Sequence, residues 1–222
     1  MRETEPSWFN EAIHQLWGAD YLIDLMEQAQ AAVTRLQAVA AESDGRVRLG
    51  PGIADKVMDS WQLPVPPDVR LIAKEIGTIW FDDYDAIEFD HPRNAHPEPR
   101  PAQAPQRYRI LHTNSAAETY CAEVDPETGA WGRIFYYWED HSITWVAENL
   151  AAWLLFVAHG LNLALRVDSG EMVPELASAG YVDEQDLPQL TFENVFRDWF
   201  GSYGEFFAQR DDPRAAIPYV LD

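Results

Sequence analysis

Residues 119–165, TYCAEVDPETGAWGRIFYYWEDHSITWVAENLAAWLLFVAHGLNLAL, decide the fold. Thr119–Val124 and Ala130–Trp138 are rich in β-branched and aromatic residues, a strand composition. Asp125-Pro126-Glu127-Thr128-Gly129 between them reads as a turn. Proline presets φ early in it, and glycine tolerates positive φ at its end. Ser142–Ala147 follows as a third strand, with Ile143, Trp145 and Ala147 on one face. Asn149 is placed to cap a helix, its side-chain oxygen accepting from a first-turn N–H. Leu150, Trp153, Leu154, Val157 and Leu161 then fall on a single helical stripe. The apolar run Leu150–Leu165 is interrupted by His159, Gly160 and Asn162. It is shorter than the roughly 20 residues a bilayer span needs, so a buried core helix is expected and no membrane partner.

The flanking sequence reads as segments that cover this unit. Gln106–Thr113 alternates like a strand, and His91–Pro105 is Pro-rich, expected as an extended surface loop. Thr78–Phe81 and Ala86–Phe89 are strand-like and bracket Asp82-Asp83-Tyr84-Asp85. Ile53–Trp61 predicts a short helix before Leu63-Pro64. Pro67 suits the first turn of the next helix, which Val69, Ile72, Ala73 and Ile76 make apolar on one face and Gly77 stops. Residues 7–41 predict two helical pieces, the second with Leu22, Leu25, Met26, Ala29, Val33, Leu36 and Ala40 on one stripe. That stripe is expected to pack on the main domain, with a homodimeric coiled-coil arm as the alternative. Glu42–Gly45 and Gly50–Gly52 read as loop. Beyond Leu165 the chain turns acidic, with a short helix near Pro174–Ala179. Thr191 then heads an aromatic helix carrying Phe192, Val195, Phe196, Trp199, Phe200, Tyr203 and Phe207, expected as core.

Composition excludes several function classes. The chain is 222 residues long, 47% hydrophobic and 13% aromatic, which excludes wholesale disorder. It carries 37 acidic against 16 basic residues, a formal net charge of -21, with lysine only at Lys56 and Lys74. Nucleic-acid binding needs Lys and Arg to neutralise phosphates, so it is not expected. Either the acidity is a genome-wide bias, or it attracts a basic partner and raises association rates by about 10 to 1000-fold. MRETEPSWFNEAIHQ shows no secretory leader, and the lone Cys121 excludes an intramolecular disulfide. A cytoplasmic location is the expectation.

No stretch announces catalysis. His14, His91, His96, His112, His141 and His159 lack zinc-protease spacing, and no phosphate loop or nucleophile elbow is present. Glu139-Asp140-His141 joins carboxylates to an imidazole, but neighbours in a turn point apart. Asp82–Asp85 lacks the spacing of a calcium loop, and His91 and His96 lack further ligands, so no metal or cofactor is expected. Mid-strand Cys121 reads as a small core residue.

Three groups of residues resemble the SUKH superfamily, which includes fungal cell-wall-assembly regulators and bacterial immunity proteins. They are the short helix with Leu63-Pro64 and the Pro-headed helix ending at Ile76-Gly77, then Tyr120–Phe135 with its Asp125 turn and Gly129, then Val146–Leu155. Where that family commonly has paired glycines, this chain reads Ile76-Gly77-Thr78-Ile79. The resemblance implies an α+β fold with a mostly antiparallel sheet of about six strands flanked by helices. The core would span residues 53–166, with a helical extension at 1–52 and a C-terminal extension at 167–222. It implies no enzyme but a binding module, an immunity protein occluding a basic toxin domain such as a nuclease. The expected contact residues are Asp82, Asp83 and Asp85 at one turn and Trp138, Glu139 and Asp140 at another. A dimeric regulatory scaffold and a metal-dependent hydrolase are the alternatives.

Overall fold

The computed structural model describes residues 19–61, 64–81, 85–95, 104–113, 119–137, 143–173, 184–192 and 195. In chain order these give α1 (Ala19–Glu42), β1 (Val47–Leu49), α2 (Asp55–Met58), α3 (Pro67–Glu75), β2 (Thr78–Phe81) and β3 (Asp85–Glu88). After a 3-10 turn at Pro92–Ala95 come β4 (Tyr108–Thr113), β5 (Thr119–Val124), β6 (Trp131–Tyr137), β7 (Ile143–Ala147) and α4 (Leu150–Asp168). A second 3-10 turn spans Glu184–Gln189. The fold class is α+β, as expected.

The central hairpin is built by its turn. Asp125 Oδ1 accepts from the Glu127 N–H at 2.9 Å, the Thr128 N–H at 2.7 Å and the Thr128 hydroxyl at 2.9 Å. Those bonds, the Thr128 N–H first, hold its carboxyl below the usual range. Gly129 closes the turn at φ +75°, and a Cβ there would lie 2.8 Å from Pro64 Cδ and 2.9 Å from its carbonyl oxygen. Positive φ and close approach both demand glycine. Asn149 caps α4 as predicted, its side chain accepting from the Ala152 N–H at 2.8 Å. Leu150, Trp153, Leu154, Val157 and Leu161 are all buried. By length and composition α4 is the one described helix apolar enough to cross a membrane, but 67% of that apolar window is buried in the protein.

The strands do not form one sheet of about six. They form two antiparallel sheets, β1-β2-β3 and β4-β5-β6-β7. β1 is an addition that the sequence hid between two loop signals. Buried Ser43 links it to α1, accepting from the Val47 N–H at 3.0 Å and donating to the Ala40 carbonyl at 2.8 Å. β3 and β4 lie side by side, but side chains replace the ladder between them. Asn94 donates to the Ile110 carbonyl and accepts from the Ile110 N–H, both at 2.9 Å, so its carboxamide occupies the pairing groups of β4. The segment read as a free Pro-rich loop is therefore tied to the sheet at Asn94.

One face of both sheets meets the helices. Ile79, Ile87, Leu111, Tyr120, Ala122, Ile134 and Tyr136 share a core with α4, with Val69, Ile72 and Ala73 of α3, and with Ala29, Ala32, Val33, Leu36 and Val39 of α1. Ala29, Val33 and Leu36 of the predicted α1 stripe are thus covered within the chain, with Ala40 packed against them. Phe192 and Val195 belong to the same core. Gly77 does not act through a left-handed cap, because α3 ends in an extended Ile76 at φ -137°. A Cβ at Gly77 would instead sit 2.2 Å from the Pro51 carbonyl oxygen. On the outward face of the four-stranded sheet, Ile110, Cys121, Phe135 and Tyr137 form a second, smaller cluster with Ala104.

Candidate partner-binding surface

Strand register fixes which turns share an end of the molecule. Thr113 pairs with Thr119, Thr119 with Tyr137, and Tyr137 with Ile143, so the β4–β5 and β6–β7 connections leave from one end. The three-stranded sheet joins them there. His112, next to the end of β4, donates from Nδ1–H to the Ala86 carbonyl of β3 at 2.9 Å. Its ring also lies 5.8 Å from that of Phe81, the last residue of β2. Phe81 pairs with Asp85, so the β2–β3 connection departs from the same end.

Behind this end runs a buried aromatic chain. His112 is 6.2 Å from Tyr120, and Tyr120 packs at 5.0 Å on Tyr136 and at 5.4 Å on Trp153 of α4. Burial pushes His112 down to about 4, only partly opposed by its bond to the Ala86 carbonyl, so the ring is neutral at neutral pH. The strand ends are therefore anchored on an uncharged, buried core.

Of the six expected contact residues, Asp85 opens β3 opposite Phe81. Asp82, Asp83, Trp138, Glu139 and Asp140 lie outside the described residues, as do His14, His96 and His141. His91 Nε2 lies 4.0 Å from Glu88 Oε2, whose carboxyl is pushed up by burial and by Asp90. Cys121 is fully buried and its thiol is pushed up by that burial, which fits its reading as core. Among the described residues no group of three or more His, Cys, Asp and Glu can hold a metal ion.

The opposite end carries an assembly that the sequence did not reveal. Arg109 of β4 stacks its guanidinium 3.9 Å above the Trp61 ring and 5.8 Å from that of Trp131. The two indoles stack at 6.2 Å, and the Trp61 Nε1–H donates to Asp90 at 2.8 Å. Arg109 reaches the Phe89 carbonyl at 3.4 Å and lies 3.8 Å from Asp90, while its Nε is buried without an acceptor. Desolvation lowers it to about 10, against the pull of Asp90, so it stays charged at neutral pH. This stack pins the turn after α2 to the four-stranded sheet, close in sequence to the contact of Pro64 with Gly129. Tryptophans flanking Leu63-Pro64 and Gly129 were its only sequence signal, and no periodicity links them to Arg109.

Comparison with known proteins leaves the chain without a relative to lean on: no family model matches it, and neither curated proteins nor solved structures return a match.

Proposed function

We propose that this chain is a non-enzymatic binding protein of the SUKH type, an immunity protein that neutralises a basic toxin domain by covering it. A nuclease fits best, because its substrate groove must be basic to hold phosphates. The observation that carries the reading is electrostatic. On a chain of net charge -21, the strand ends that flank both acidic segments lie at one end of the molecule. A strongly negative chain draws a basic groove toward it and accelerates encounter with it. The contacts of Gly129 with Pro64 and of Trp61 with Trp131 add support, since they bring two of the SUKH-like segments together.

Co-expression with the product of the adjacent open reading frame tests the proposal. The reading expects that product to be toxic alone, and expects this chain both to restore growth and to co-purify with it. A harmless neighbour and no complex would favour the scaffold alternative. Of the α1 stripe that a dimeric scaffold would use, Ala29, Val33 and Leu36 face the core of this chain, which favours the binding-module reading.

A further inference from the structure

Arg70 and Arg109 are held in opposite ways. Arg70 donates to Asp55 at 2.7 Å and to Asp59 at 2.8 Å, so both carboxylates stand at hydrogen-bond distance. Arg109 reaches one carbonyl, that of Phe89 at 3.4 Å, and lies 3.8 Å from the Asp90 carboxylate. Its Nε is buried and, among the described residues, has no acceptor. A guanidinium carries only donors, and donors left unmet in a buried place cost free energy. What holds Arg109 is therefore the indole face of Trp61 at 3.9 Å, with Trp131 at 5.8 Å.

The walls around Arg109 have the composition of a cation-binding cage. Two stacked indoles supply π faces, and Asp90, fixed by the Trp61 Nε1–H at 2.8 Å, supplies the counter-charge. Trp61 and Trp131 are partly exposed and the Asp90 side chain is 53% exposed, so the cage reaches solvent. It takes a guanidinium, because it contains one. We infer that this cage is a receptor for an arginine side chain presented by a basic protein, and that Arg109 is a plug which the incoming arginine displaces. The exchange trades one stacked guanidinium for another, while Arg109 regains water on the donors it leaves unmet inside. A chain of net charge -21 draws arginine-bearing partners and repels a second copy of itself.

This inference rests on the reading of a basic partner, but its test uses no partner protein, so the two fail separately. N-acetylarginine amide is titrated into the full chain against sodium chloride of equal ionic strength. Heteronuclear NMR follows the Trp61 indole N–H and the Arg109 Nε–H. The Trp61 signal is expected to shift saturably, and the Arg109 Nε–H, shielded in the free protein, to exchange with water as the side chain leaves. Arg109→Ala empties the cage and is expected to bind the amide about tenfold more tightly than the parent, because nothing has to be displaced. Trp61→Leu removes the stacking face and is expected to abolish the saturable shift at the Trp131 indole, with Trp61→Phe between the two and unfolding curves confirming that each variant folds. If the amide moves these signals no more than salt does in both the parent and Arg109→Ala, the cage is overturned. Equal affinity in the two, or binding by Arg109→Ala alone, overturns the displacement. Either failure leaves the toxin reading standing, which co-expression tests on its own.

Discussion

Arg109 and His112 stand on the same strand and reach across, Arg109 to the turn after β3 and His112 to β3 itself, yet the protein treats their charge in opposite ways. His112 is buried beside Phe81, Tyr120 and the Ala86 carbonyl, where burial penalises a charged ring more than its bond to that carbonyl favours it, so it is neutral. Arg109 keeps its charge because two indole faces and the Asp90 carboxylate take the place of water. The two ends of one seam are thus held by different physics. The hairpin end is closed by a neutral, fully packed bridge, and the opposite end by a charged stack that stays partly open to solvent.

The largest expected effect is at the packed end. His112→Ala leaves a cavity and strips the Ala86 carbonyl of its donor, which should cost about 2–4 kcal/mol in urea unfolding at pH 7. A loss under about 1 kcal/mol would mean the bridge does not hold the seam. The same residue makes the seam pH-sensitive. Its pKa is lowered to about 4 in the folded protein, so on acidification the unfolded chain takes up the proton first. Stability should be full above pH of about 6.5 and fall by up to about 3 kcal/mol as pH drops toward 4. His112→Gln removes this titration, so the parent-minus-variant stability difference isolates it from the carboxylates. A difference that does not vary with pH would show that His112 titrates normally.

Between the two ends, Asn94→Ala uncovers both the N–H and the C=O of Ile110. A loss of about 1–3 kcal/mol is expected, with faster hydrogen exchange at the Ile110 amide and unchanged exchange within the β5–β6 ladder. Equal acceleration in both places would contradict a local seam. The smallest effect is expected at the charged end. Arg109→Met keeps the stem and removes a guanidinium whose desolvation opposes its stacking, so stability should change by less than about 1 kcal/mol. A loss above about 3 kcal/mol would show that the charged stack, rather than the neutral bridge, dominates the seam.

What the sequence disclosed follows the range of the physics. The Asp125–Gly129 turn, the Asn149 cap, the Pro67 start and the α4 stripe are local, and each was readable because its cause lies within a few residues. The α+β class was what the resemblance implied, and it is the class the structure has. β1 was missed because three residues between turn signals carry no measurable alternation. The division into two sheets was missed because it depends on Asn94, His112 and Arg109 meeting residues far away in sequence. Trp80 was legible as a strand residue but not as an exposed one, since its 37% exposure depends on neighbours the strand pattern does not show. The acidic turns were named from charge alone, and the arrangement of their flanking strand ends required the cross-sheet contacts of His112.

The most direct test of the binding account is the salt dependence of the complex with the adjacent open reading frame's product, measured by surface plasmon resonance. Screening shortens the reach of surface charges from about 10 Å at 0.1 M salt to about 3 Å at 1 M. The account predicts an association rate that falls at least about tenfold over that range while the dissociation rate changes far less. An affinity indifferent to salt would contradict an acidic face closing on a basic partner.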